Sequence, residues 1–142
     1  MNTITHIDID ASPATVWAAL TDFDRYPEWH PVLRELDAEL EVGAPVRIVA
    51  QMGRRTMTMH AVMVRVDFER ELGWRGPRSR VGRFFFGAHH WFRLEPRPGG
   101  GTRLVHGEEF RGALVPLVGW FLRPRLLPRY DSLNRALKER SE

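Results

Sequence analysis

The chain has 142 residues, a formal net charge of +3 and no cysteine, which is enough for one domain with a sizeable core. The lack of cysteine excludes disulfides, thiol nucleophiles and thiolate metal sites. Twenty of the 21 basic residues are Arg, but they are scattered with no like-charged block, so no nucleic-acid partner is expected.

The longest apolar run, Ala113–Leu122, is too short to span a bilayer, and no stable membrane insertion is expected. The first ten residues, MNTITHIDID, lack the pattern of a signal peptide, so a cytoplasmic location is the expectation. A homodimer is left open.

Thr3–Asp10 alternates, with Ile4, Ile7 and Ile9 apolar, and reads as a first strand. Ser12-Pro13 marks a helix start, with Val16, Trp17, Ala19 and Leu20 as its buried face. Thr21–Pro31 is a second short helix or turn, broken by Pro27 and Pro31. Strands follow over Leu33–Val42, Pro45–Met52, Thr56–Asp67 and Glu69–Gly76. Arg78–Gly82 reads as a basic loop. Phe84–Pro96 and Thr102–Gly112 form a hairpin across Arg97-Pro98-Gly99-Gly100-Gly101.

Leu126, Tyr130, Leu133 and Leu137 recur at helical spacing. A last helix over about Leu114–Glu139 must be kinked or split by Pro124 and Pro128. The expected fold is α+β: a curved antiparallel sheet of about seven strands around a long C-terminal helix, with two short helices after the first strand, all in one domain over residues 1–142.

Strand parity puts Phe84, Phe86, Ala88, His90, Phe92 and Leu94 on the inner face of one hairpin arm, and Leu104, His106, Glu108 and Phe110 on that of the other. A turn centred on Gly99 sets Leu94 opposite Leu104, Phe92 opposite His106 and His90 opposite Glu108. A shift by two would set His90 opposite His106 instead. His90 and Glu108 are therefore the candidate acid and base, as proton abstraction next to a carbonyl requires. With His106 they could equally orient a ligand, or form a buried pair with no role. His90, His106 and Glu108 lack the spacing of a metal site, so no metal and no cofactor are expected.

Trp29, Trp74, Phe84, Phe86, Phe92, Phe110 and Phe121, with Leu117 and Tyr130, are candidate pocket walls. Met52, Met57, Met59 and Met63 read as core. Arg75, Arg78, Arg80 and Arg83 could receive an anionic head group, although such loops are commonly solvated.

Several pieces, in this order and spacing, resemble the SRPBCC superfamily (START-like, polyketide cyclase/dehydrase-like proteins). They are Ile7–Pro13 with Val16-Trp17, Tyr26-Pro27-Glu28-Trp29, Leu72–Gly76, His90–Leu94, Gly100–Leu104, Glu109–Gly112 and Asn134–Lys138. The resemblance implies a helix-grip fold whose cavity, between sheet and last helix, takes lipids, sterols, hormones or polyketide-like molecules. Some members are aromatase/cyclases. In that family the Tyr26–Pro31 segment closes one end of the cavity, which implies ligand contact for Trp29 and His30. Relatives often carry Asn where this chain has His30, and an unbroken last helix where it has Pro124 and Pro128. The leading expectation is a small hydrophobic molecule bound in that cavity. The alternatives are a cyclase or dehydratase using His90 and Glu108, or an interaction module with a filled core.

Overall fold

A computed structural model describes all residues, Met1–Glu142. Strand β1 (Asn2–Ile9) leads into α1 (Pro13–Thr21), where Ser12 Oγ accepts the Thr15 N–H at 3.2 Å and Pro13 occupies the first turn. A 3-10 turn over Phe23–Arg25 and the short α2 (Tyr26–Trp29) follow, and Pro27 sits in the first turn of α2 rather than breaking it. Next come β2 (Leu33–Asp37), β3 (Pro45–Met52), β4 (Arg55–Asp67), β5 (Glu71–Gly76), α3 (Arg80–Phe85), β6 (Gly87–Pro96), β7 (Thr102–Arg111) and α4 (Val115–Ser141).

The seven strands form one open antiparallel sheet, ordered β1-β7-β6-β5-β4-β3-β2. Register shifts between Leu33 and Glu35 and between Met63 and Arg65 interrupt the ladders, and such irregularities bend a sheet. Helix α4 packs on β1 and β7 and against α1 and α2. This is the helix-grip arrangement. No helix is long and apolar enough to cross a membrane.

The structure corrects three sequence readings and decides one that the sequence left open. Strand β2 stops at Asp37 instead of Val42, because the following loop turns through Gly43 (φ 92°), whose N–H donates to Met63 O at 2.7 Å. The basic loop and the start of the hairpin arm are a helix, α3. Ser79 Oγ caps it by accepting from Gly82 N–H at 2.9 Å, and the Phe86 N–H closes it on Gly82 O. One and a half turns are too few for helical periodicity to show, so the run Phe84-Phe85-Phe86 reads as strand. The last helix is not split. Pro124 and Pro128 each remove one backbone N–H, but both lie on the exposed side of one 27-residue helix. Finally, of the four methionines read as core, only Met63 is buried; Met52, Met57 and Met59 are exposed.

The core is lopsided. Ile9, Val16, Leu20, Leu72, Leu94 and Leu104 meet Leu133 and Leu137 from the second half of α4. The first half buries only Val115 and Gly119. The tightly filled region therefore occupies one end of the space between sheet and helix, and the site lies toward the other.

Candidate functional site

The β6–β7 register is the one set by the Gly99 turn: Leu94 pairs with Leu104, Phe92 with His106 and His90 with Glu108. Gly99 and Gly100 make this possible with φ of 91° and 93°, where side chains are strained. On β5, Trp74 is the cross-strand partner of His90, and their rings stack at 5.1 Å with 6° between planes. The Phe92 and His106 rings stack likewise at 4.5 Å.

These pairings build a continuous polar chain inside an apolar setting. Glu108 Oε2 lies 3.3 Å from His90 Nδ1 and accepts the Tyr130 hydroxyl. His90 Nε2 lies 2.8 Å from His106 Nε2, a diagonal contact that coexists with the His90–Glu108 pairing. His106 Nδ1 meets Asn134 Oδ1 at 2.9 Å, and Asn134 Nδ2 donates to Thr5 Oγ1 at 2.8 Å. Thr5 in turn donates to the His106 carbonyl. Tyr130 and Asn134 stand four apart on α4, so one face of the helix supplies both.

The bonds determine where the protons are. Asn134 Oδ1 can only accept, so His106 Nδ1 carries the hydrogen. Burial, reinforced by His90, holds the His106 pKa well below the usual imidazole range despite the Asn134 bond. A neutral His106 offers Nε2 as an acceptor, so His90 Nε2 donates. His90 Nδ1 then faces Glu108 Oε2. Burial alone would raise the Glu108 pKa, but the charge and hydrogen bond of His90 and the Tyr130 hydroxyl outweigh it and hold it below the usual carboxylate range. Burial and the Glu108 charge push the Tyr130 hydroxyl up, so it remains a donor. Both contacts of Glu108 end on Oε2, which leaves Oε1 without a protein partner.

This carboxylate faces a cavity of about 800 Å³, a size suited to a small organic ligand. Among the sequence-predicted residues, Trp74, Phe86, His90 and Glu108 line it. Ile48, Ala61, Ala88, Met59 and His60 add to the wall, and Pro77, Arg78 and Ser79 close it on the α3 side. Phe92 and His106 are fully interior and lie behind His90, while Phe110 packs on Phe86 at 5.6 Å. Tyr130 reaches the site through its hydroxyl.

Trp29 and His30 stand apart from the lining. His30 is buried beneath Tyr26, and its Nδ1 accepts the Val32 and Leu33 N–H groups at 3.1 and 2.9 Å. Burial, with His90 and Arg34 adding to it, lowers its pKa to about 3. Three other candidates are not brought to the cavity. Phe84 is 67% exposed, because α3 takes it out of the strand alternation. Leu117 and Phe121 are 69% and 47% exposed, because α4 turns Val115 and Gly119 inward instead. His90, His106 and Glu108 do not form a metal cluster; the facing Nε2 atoms are hydrogen-bonded to each other.

Sequence reasoning missed Asn134 as a site residue. The signal was an Asn within the apolar stripe of Leu133 and Leu137, four residues after Tyr130. It also missed Thr5, one polar position in an alternating strand, and His60 and Ser79, whose roles depend on where the α3 loop folds.

A seven-stranded antiparallel sheet gripping a long C-terminal helix defines a helix-grip fold. The match to the family model described as polyketide cyclase / dehydrase and lipid transport runs over residues 3–142, and the chain belongs to that family. No curated protein matches it in sequence. Among solved structures it is similar to a START superfamily protein from Mycobacterium smegmatis, with TM-score 0.79 and 15% identity over 99% of this chain and 96% of that one. It is also similar to the ZhuI aromatase/cyclase from Streptomyces sp. R1128, with TM-score 0.78 and 15% identity over 99% and 93%. TTHA0849 from Thermus thermophilus matches with TM-score 0.76 and 18% identity over 99% and 97%. At these identities the likeness shows a common fold.

Proposed function

We propose that the protein binds a small, mostly hydrophobic molecule, lipid-, polyketide- or aromatic-like, in the cavity of about 800 Å³. The supporting observation is that cavity together with the Glu108 carboxylate in its wall. Trp74, Phe86, Ile48 and Ala88 offer apolar area, worth roughly 25 cal/mol per Å² removed from water. Glu108 Oε1, lacking a protein partner, suits a ligand hydroxyl, and His90 holds that carboxylate in place through Nδ1. A filled-core interaction module has no use for this space.

A second reading rests on the 3.3 Å contact between His90 Nδ1 and Glu108 Oε2. Such a pair suits acid–base chemistry: protonated His90 donates to a carbonyl oxygen while Glu108 takes a proton from a neighbouring carbon, as in cyclisation or dehydration. The roles proposed for His90 and Glu108 are thus ligand orientation in the first reading and catalysis in the second.

Native mass spectrometry of the protein purified from its own host tests the binding reading. A stoichiometric small apolar compound is expected, and it should be lost from Ala88→Phe, which adds bulk to the cavity wall. Retention of that compound by Ala88→Phe would refute the cavity as its site. With the released compound as substrate, His90→Ala and Glu108→Gln separate the two readings. Lost turnover with affinity largely kept supports an enzyme. Reduced affinity with no turnover in any form supports a carrier.

A further inference from the structure

Seven of the 14 exposed large apolar side chains, Val81, Phe84, Phe85, Leu114, Leu117, Trp120 and Phe121, lie on α3 and at the start of α4. Val81 and Phe84 on α3 are 71% and 67% exposed, and Leu117, Trp120 and Phe121 on α4 are also open. The two helices are joined directly there, because the Ala113 and Leu114 N–H groups donate to Phe84 O and Phe85 O, both at 2.9 Å. Leu117, Trp120 and Phe121 share an arc of about 100° at the helical 100° per residue, opposite the arc of Val115, Gly119 and Leu133. The first half of α4 therefore carries two apolar faces, one packed and one bare.

Arginines rim the bare face. Arg78, Arg80 and Arg83 lie in and before α3, and Arg123, Arg125 and Arg129 follow the α4 aromatics. The Arg125 guanidinium lies 3.7 Å over the Phe121 ring. No Asp or Glu occurs from Leu72 to Leu94 or from Phe110 to Tyr130. The Met1 ammonium sits beside the same region on Phe110 O, and Glu109 is engaged with Arg111. Monomeric proteins rarely leave a contiguous apolar patch of this kind uncovered.

We propose that this face docks the protein peripherally on an anionic phospholipid bilayer, with the first half of α4 lying in the head-group layer. An apolar centre with Trp and Phe, a cationic rim and no carboxylate is the pattern of an interfacial helix. A second copy fits poorly, since a two-fold axis would set one cationic rim against another with no carboxylate to pair it. Arg78 and Ser79 line the cavity and run into α3, so a docked molecule holds its cavity against the lipid surface. The docking stands whether or not the cavity carries a lipid.

Co-sedimentation with vesicles of phosphatidylcholine alone, or of phosphatidylcholine mixed with phosphatidylserine, tests this at low and high salt. Binding is expected to the mixed vesicles only, weakening as salt rises. Trp120 is the most exposed of the tryptophans, and its emission should shift to the blue on binding. Trp120→Ser should weaken binding about tenfold. Arg123→Gln with Arg125→Gln should weaken it roughly 25-fold, at about fivefold per arginine. All three positions are exposed, so circular dichroism should match the parent protein. No binding, equal binding to both vesicles, or binding unchanged by Trp120→Ser would overturn the proposal. So would a solution dimer abolished by Trp120→Ser, which would assign the face to a second copy.

Discussion

Acid places a particular load on His30, and His30→Asn isolates it. The imidazole is 7% exposed and accepts two backbone N–H groups through Nδ1. Protonation would break both bonds, so the folded state holds the ring neutral, with a pKa lowered to about 3 from the ordinary 6.5. The unfolded chain takes up a proton below 6.5 and the folded chain does not until about 3. Stability is therefore full above 6.5 and is lost as pH falls toward the folded value. At about pH 5 the loss is about 1.5 units at 1.36 kcal/mol per unit, or about 2 kcal/mol. Asn Oδ1 can accept the same N–H groups and does not titrate. His106, His89 and Glu108 also favour the folded state less in acid, but they do so in both proteins and cancel in the comparison. Urea unfolding of both proteins at about pH 7.5 and about pH 5 gives the difference of differences. His30→Asn should lose about 2 kcal/mol less than the parent on acidification. Equal losses would refute the assignment of His30 as a buried neutral acceptor.

Asn134→Leu removes the partner of His106 Nδ1 and of Thr5 Oγ1 in the interior, which should cost about 2–4 kcal/mol in urea unfolding. A cost below about 0.5 kcal/mol would mean that the polar chain does not end on α4. A Cβ at Gly107 would run into the Trp91 ring at Cζ2 and Cε2, so Gly107→Ala should cost about 1–3 kcal/mol and alter Trp91 emission. An unchanged spectrum would contradict the packing of Trp91 on that strand.

Most of the architecture could be read along the chain because it is set by short-range rules. Ser12-Pro13 caps a helix, alternation marks the strands, and the Gly-rich turn fixes the β6–β7 register. A turn centred on Gly99 sets His90 opposite Glu108 and a shift by two sets it opposite His106, so the facing pair was one of two legible in the sequence, and the structure selects it. Helix α3 was not legible. It spans one and a half turns, its residues include three with strand preference, and its stability comes from the Ser79 cap and Arg83 bonds to Pro77 O and Arg78 O. The mistake carried Phe84 into a wall it never reaches.

What the amino-acid order determined by itself is every element but α3, their antiparallel pairing and two candidate partners, Glu108 and His106, for His90 on the facing strand. Each depends on periods of two or 3.6 residues, or on a turn of a few residues. What only the tertiary structure decided is the rotation of α4 about its axis. That rotation brings Tyr130 onto Glu108 and Asn134 onto His106, and it turns Leu117, Trp120 and Phe121 to the outside. The first half of α4 is apolar on two faces, so no local pattern distinguishes the buried one. The choice follows from packing Leu133 and Leu137 into the core at the far end of the same helix.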